Sequence, residues 1–224
     1  MIETLGMKES LLLYFIMGSH NTPHDPLWVL QEAIQGGITC FQFREKGEKA
    51  ARGAEKVEWA RALQEICRAY RIPFLVDDEV DLALFLDAEG VHIGQEDGEI
   101  EEVRRKIGDH KILGVSIHTV EEAHIAQEKG ADYLGVGPIY PTSSKKDAKE
   151  PVGPAFIREL RDQGIHLPIV GIGGITRENA ARITEAGADG IALISAICQA
   201  QNPREEAALL RKEAKLGIYR RMER

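Results

Sequence analysis

The chain alternates two hydrophobic patterns. Short continuous apolar runs are each followed by a longer stretch whose apolar positions recur every three or four residues, the helical period. The runs predict strands at 14–17, 38–44, 73–76, 90–93, 112–115, 133–136, 168–172 and 190–194. The intervening periodic stretches predict helices at 26–34, 50–70, 80–86, 100–107, 120–129, 154–163, 177–186 and 203–216. Pro26 suits the first position of its helix, and Gly36-Gly37 suits the end of it. In the long second helix, Val57, Ala60, Leu63 and Cys67 share one face. Continuous apolar strands alternating with helices indicate a parallel sheet covered on both faces. A helix end of the form Gly-Ala-Asp leads into the next strand at Gly130-Ala131-Asp132 and at Gly187-Ala188-Asp189, and Asp87-Ala88-Glu89-Gly90 resembles it. Eight such units in 224 residues predict a single-domain α/β chain, a (β/α)8 TIM barrel spanning 1–224. A doubly wound open sheet is the alternative.

Composition narrows the function classes. The chain is 43% hydrophobic, enough for one large core, and carries a net charge of −8. With no basic run and few aromatics, no nucleic-acid partner is expected. No apolar stretch reaches the roughly 18 residues of a membrane span, so no membrane partner is expected. The start of the chain has Leu11-Leu12-Leu13 but no basic segment before it, and no signal peptide is expected. Cys40, Cys67 and Cys198 are widely spaced and odd in number, which fits buried thiols in a reducing cytoplasm.

In a barrel, chemistry sits at the C-terminal ends of the strands. The second strand ends in Gln42-Phe43-Arg44-Glu45-Lys46. Strand alternation puts Gln42, Arg44 and Lys46 on one face. An amide and two cations there suit a diphosphate clamp, or else a strand running out into a charged loop. The third strand ends in Asp77-Asp78, and the fourth in Gly94-Gln95-Glu96-Asp97. Hard carboxylate oxygens without thiols or imidazoles suit Mg²⁺. The plainer reading makes each aspartate a helix cap. After the fifth strand, Thr119 with Glu122 reads as a capping box. Ser116 suits a ligand or a backbone bond, His118 an acid/base role or a structural one, and His92 a satisfied core histidine. The sixth strand enters the longest loop, 137–150, rich in hydroxyls and lysines. It is either a lid, with Thr142, Ser144 and Lys145 gripping phosphate, or a surface loop. Gly171-Ile172-Gly173-Gly174 and Ile194-Ser195 end the last two strands, where barrels commonly bind a phosphate. Two anion-binding halves with no Ser-His-Asp or Cys-His nucleophile point to a transferase with a diphosphate leaving group.

The chain resembles the thiamine-phosphate synthase family. The residues that carry the resemblance are Tyr14–Phe15–Ile16–Met17–Gly18–Ser19, Gln42-Phe43-Arg44-Glu45-Lys46, and Val91 through Asp97. Gly114 through Thr119, Gly137 through Thr142 with Lys145, and Gly171 through Thr176 complete the set. The resemblance implies a Mg²⁺-dependent alkyl transfer joining hydroxymethylpyrimidine diphosphate to a thiazole phosphate. It implies Gln42, Arg44, Lys46 and Asp77 on the pyrimidine diphosphate side, and Asp78 and Asp97 on the metal. It implies Ser116 and Lys145 near the diphosphate or pyrimidine, and Thr142, Ser144, Gly174, Ile194 and Ser195 on the thiazole phosphate. Arg44, Ser116 and Lys145 are the candidate catalytic groups. Two positions depart from the family pattern. Ser144 replaces a threonine and keeps the hydroxyl. Asp77 stands where the family usually has asparagine, and two like charges about 4 Å apart at an effective dielectric of 20 repel by roughly 4 kcal/mol. Three outcomes are expected for it: protonated, turned away, or sharing the metal. A thiazole tautomerase of the same fold would need a histidine where Pro138 stands. A silent phosphate-binding barrel is the other rival, and a homo-oligomer is a possible assembly.

Overall fold

The computed structural model describes residues 6–142, 144 and 149–223. Eight parallel strands close into a barrel in sequence order. They are β1 Leu13–Met17, β2 Cys40–Phe43, β3 Phe74–Asp77, β4 Gly90–Ile93, β5 Ile112–Ile117, β6 Tyr133–Val136, β7 Ile169–Ile172 and β8 Gly190–Leu193. The closing pair aligns Tyr14 with Ala192. The helices of the outer ring are α2 Pro26–Gly36, α3 Gly53–Tyr70, α4 Val80–Phe85, α5 Ile100–Ile107, α6 Val120–Glu128, α7 Ala155–Asp162, α8 Arg177–Glu185 and α10 Pro203–Met222. Two short helices, α1 Met7–Ser10 and α9 Ser195–Cys198, were not expected from periodicity, being too short to show one.

Strand alternation divides the core in two. Phe15, Phe41, Phe43, Phe74, Val91 and Leu134 face outward, into the layer between sheet and helices. Tyr14, Ile16, Cys40, Leu75, Tyr133, Val170 and Ala192 fill the barrel itself. Two glycines make room there. A Cβ on Gly114 would collide with the Tyr133 ring, and one on Gly135 would come within 3.0 Å of His92 Cε1. Cys40 lies in the inner layer, whereas Cys67 and Cys198 lie in the outer one, all three as buried free thiols.

The recurring Gly-Ala-Asp helix ends are latches at the N-terminal face. Asp132 Oδ2 accepts from Leu113 N at 2.7 Å and from Arg104 of α5 at 2.6 Å. Asp189 Oδ2 accepts from Ile169 N at 3.0 Å and from Arg161 of α7 at 2.8 Å. The same two arginines donate to Gly130 O and Gly187 O. Glu89 performs the backbone half of the task, accepting from Phe74 N at 2.9 Å. Each carboxylate thus ties the start of its own strand to the start of the strand before it.

Most predicted boundaries shift by one or two residues, and two shifts carry meaning. β5 extends to Ile117, so Ser116 sits inside a strand with its direction fixed by the sheet. The last helix does not stop before Gly217. It runs to Met222, because Gly217 lets α10 approach α8 closely at Ala181 and Thr184.

Candidate active site

A cavity of about 800 Å³ opens at the C-terminal ends of the strands. Among the expected residues, Arg44, Lys46, Asp77, Asp97, Ser116, Thr142, Ser144, Gly174, Ile194 and Ser195 line it. Lys145 lies outside the described residues, as do Ser143 and 146–148. Gln42 and Asp78 are placed differently from the others.

β2 ends at Phe43, so regular alternation stops there. Gln42 faces the barrel interior, 2% exposed, and its Nε2 donates to Tyr14 Oη at 2.8 Å. It lies beneath the cavity rather than in its wall. Arg44 and Lys46 follow in the loop and converge on β3. Asp77 Oδ2 is 3.4 Å from Arg44 Nε and 3.3 Å from Lys46 Nζ. Asp77 is therefore paired with both cations. Lys46 also pairs with Asp78. Asp78 is not among the residues that line the cavity, and it has a left-handed backbone conformation with φ 51°. Burial raises its pKa, with the charges of Asp77 and Asp97 adding to the rise and Lys46 opposing it. For Lys46, burial works against the charged form, but Asp77, Asp78 and Asp97 together hold its pKa above the usual value.

None of the three aspartates caps a helix. Asp97 Oδ2 accepts from Gly94 N at 2.7 Å and closes the turn after β4, while Glu79 and Glu99 hold the N-cap positions of α4 and α5. Thr119 does cap α6, accepting from Glu122 N at 3.1 Å. Glu122 reaches one residue further back than a capping box requires, accepting from His118 N at 2.6 Å. The His118 Nδ1 lies 3.5 Å from the same carboxylate, and the ring borders the cavity.

Glu45 points away from the cavity. It accepts from Ser19 N, Ser19 Oγ and Ala51 N at 2.6, 2.8 and 2.8 Å, and His20 Nδ1 is 3.2 Å away. Burial would raise its pKa, but these donors outweigh burial and lower it. Glu45 thereby joins the loops after β1 and β2, and gives Arg44 and Lys46 a stiff base.

The opposite wall is made of hydroxyls and glycine backbone. Ser144 Oγ donates to Ser195 Oγ at 3.0 Å, and Ser144 N donates to Thr142 Oγ1 at 3.2 Å. Gly173 and Gly174 have φ of 99° and 62°, and a Cβ on Gly174 would collide with Pro141 O. Glycine is thus required for this turn to pass under the loop after β6.

Sequence reasoning missed two participants and the cavity-facing role of a third. Tyr14 and Tyr133 stand out in the sequence only as strand residues, yet their hydroxyls lie 2.9 Å apart in the barrel centre. His92, read as a satisfied core histidine, does have partners on both ring nitrogens, but one of them is Ser116 Oγ and the ring touches the cavity. The period-two placement of His92 and Ser116 on inward faces was the available signal.

Known proteins resemble this chain in sequence and in fold. The sequence profile of the family described as thiamine monophosphate synthase matches residues 13–197. The thiamine-phosphate synthase of Geobacillus kaustophilus is 61% identical over 204 residues, 91% of this chain and 92% of that one. That of Bacillus cereus strain B4264 is 56% identical over 217 residues, 97% and 99% of the two chains. Among solved structures, a thiamine phosphate pyrophosphorylase from Pyrococcus furiosus superposes with a TM-score of 0.84 at 37% identity, covering 95% of this chain and all of that one. By profile, sequence and fold, the chain belongs to the thiamine monophosphate synthase family.

Proposed function

We propose that this protein is a transferase that joins hydroxymethylpyrimidine diphosphate to thiazole phosphate, giving thiamine phosphate and diphosphate. The observation that carries the reading is one cavity lined by the cations Arg44 and Lys46 and also by the hydroxyls and glycine backbone of Thr142, Ser144, Gly174 and Ser195. Two phosphorylated substrates can then lie with their reacting ends between the two sets. The bond from the pyrimidine methylene carbon to the diphosphate oxygen breaks, and the diphosphate keeps the electron pair. The thiazole nitrogen supplies a new pair to the resulting carbocation. Arg44 and Lys46 stabilise negative charge growing on the leaving oxygen, and Ser116 adds a hydroxyl from β5. Holding both partners in place contributes the rest. Lys145 belongs to the same assignment by family position.

The corner formed by Arg44, Lys46, Asp77, Asp78 and Asp97 has two formal positive and three formal negative charges. Left as it stands, this corner disfavours a diphosphate. The donors are hard oxygens, and among the described residues no group of three or more His, Cys, Asp or Glu side chains is placed to hold a metal ion by itself. Mg²⁺ suits such an open set, taking one or two carboxylates and leaving positions for phosphate oxygens and water. Asp78 and Asp97 would hold it. When bound, it would supply charge neutralisation at the departing diphosphate.

Among the described residues no helix is long and apolar enough to cross a membrane. The three buried free thiols support a reducing, cytoplasmic setting. The test is one assay: protein, Mg²⁺ and both substrates, with thiamine phosphate followed by chromatography and an EDTA control. Product that needs Mg²⁺ is expected. Absence of product with both substrates bound would overturn the reading.

A further inference from the structure

Five side chains form a continuous hydrogen-bonded file through the barrel. Gln42 Nε2 donates to Tyr14 Oη at 2.8 Å. Tyr14 Oη and Tyr133 Oη are 2.9 Å apart. Tyr133 Oη lies 2.8 Å from His92 Nδ1, and His92 Nε2 lies 2.8 Å from Ser116 Oγ. Four of the five are buried, and Ser116 opens onto the cavity. The file thus runs from β2 through β1, β6 and β4 to β5, and ends where substrate binds.

We propose that this file sets the direction of the Ser116 hydroxyl, so that Ser116 meets the bound anion as a hydrogen-bond donor, with Tyr14, Tyr133 and His92 as positioning residues. The inference rests on the assignment of an anionic substrate to this cavity. A hydroxyl has one proton to give. Tyr14 receives from the Gln42 amide, and of its other two neighbours the Tyr133 oxygen is a much better acceptor than the Cys40 sulfur, so Tyr14 gives its proton to Tyr133. Tyr133, having received, gives its own proton to His92 Nδ1. A neutral imidazole that accepts at Nδ1 carries its proton on Nε2. His92 therefore donates to Ser116 Oγ, and the serine proton is left to point into the cavity. An imidazolium would break the file, because Tyr133 would receive from both sides and its own proton would have no acceptor. Burial raises the pKa of both tyrosines well above the ordinary value, so each keeps the proton that the file needs.

Geometry holds the file in place. Gly114 leaves the space that the Tyr133 ring occupies, and Gly135 leaves that of the His92 ring. The Tyr14 and Tyr133 rings meet edge to face with centroids 5.9 Å apart. With these rings fixed, a reversed file would turn the Ser116 lone pairs toward the cavity, and an anion there would be repelled.

The experiment combines ¹⁵N NMR of His92 with binding of inorganic diphosphate in Mg²⁺ to the whole protein. In the wild type, the Nε2–H tautomer is expected. The Nδ1–H tautomer, or an imidazolium, would overturn the proposal. Tyr133→Phe removes the hydroxyl and keeps the ring. It is expected to mix the His92 tautomers and weaken diphosphate binding about tenfold, the scale of one hydrogen bond to a charged group. In a Ser116→Ala background the same substitution is expected to weaken binding no further. Additive losses in the double variant, or wild-type affinity in Ser116→Ala alone, would refute it, since a merely structural tyrosine acts independently of Ser116. Where Tyr133→Phe does not fold, Tyr14→Phe serves the same cycle. Wild-type protein that binds no diphosphate yet shows the Nε2–H tautomer would remove the diphosphate assignment and leave the file's polarity standing.

Discussion

Arg44 and Lys46 each bring a fixed positive charge to the cavity, but Asp77 lies 3.4 Å from one and 3.3 Å from the other. Any diphosphate that binds these cations competes with a carboxylate already there. Asp77→Asn removes the competing charge and keeps the shape. It is expected to tighten inorganic diphosphate binding on the order of tenfold at fixed Mg²⁺, a discount from the full Coulomb value for a site open to solvent. Calorimetry measures this directly, and unchanged affinity would mean that Asp77 is not a competitor. Glu45 offers a second test. Its folded-state pKa is lowered by its donors, so its stabilisation is fully present above the unfolded value near 4.5 and is lost as pH falls through the lowered folded value. Glu45→Gln should cost about 2 kcal/mol at neutral pH. The gap in urea midpoints between the two proteins should close on acidification below that range, and a gap independent of pH would contradict the assignment. The charges at the strand ends were legible in the sequence, but the pairing of Asp77 with the clamp was not. Sequence places residues along strands; only the closed barrel shows that the loop after β2 leans onto the end of β3.

At the scale of elements, the repeating Gly-Ala-Asp signal was visible in the sequence, whereas its use was not. Its partners, Arg104 and Arg161, sit 28 residues upstream in both cases, on helices whose pattern gives no reason to single out one arginine. The two latches differ in depth. The Asp189 side chain is 5% exposed and that of Asp132 is 39%. Arg161→Ala should therefore destabilise the protein by roughly 3 kcal/mol, because it uncovers a buried carboxylate. Arg104→Ala should cost less than half as much, since water can reach Asp132. Chemical denaturation of the two variants checks the order, and equal losses would show that burial does not govern them. The C-terminal helix teaches a related lesson. A glycine inside a helical pattern normally lowers the expectation of a helix. Gly217 is kept inside α10 by contact with α8, an interaction that no local pattern records. Gly217→Ala is accordingly expected to destabilise, although alanine is the better helix former, with a thermal midpoint below wild type as the readout.

For the whole molecule, the acidic balance meets the proposed diphosphate at one corner of the barrel mouth. That corner is formally negative by one charge, in a chain of net charge −8. A divalent cation reverses its sign. Metal and diphosphate should therefore bind with positive coupling, each raising the affinity of the other by the same factor. Titrating diphosphate with and without EDTA, and Mg²⁺ with and without diphosphate, should give equal ratios well above one. A ratio of one would separate the metal from the anion site.

The three buried thiols turn the barrel into its own clock. Burial raises the pKa of Cys40, Cys67 and Cys198, so none of them is a ready nucleophile in the folded chain. An alkylating reagent can label them only when a region opens. Cys67 and Cys198 lie under the helices, but Cys40 lies inside the closed sheet. If the helical coat loosens before the strands part, mass spectrometry will find Cys67 or Cys198 labelled ahead of Cys40. If all three are modified at one rate, coat and barrel come apart in a single event.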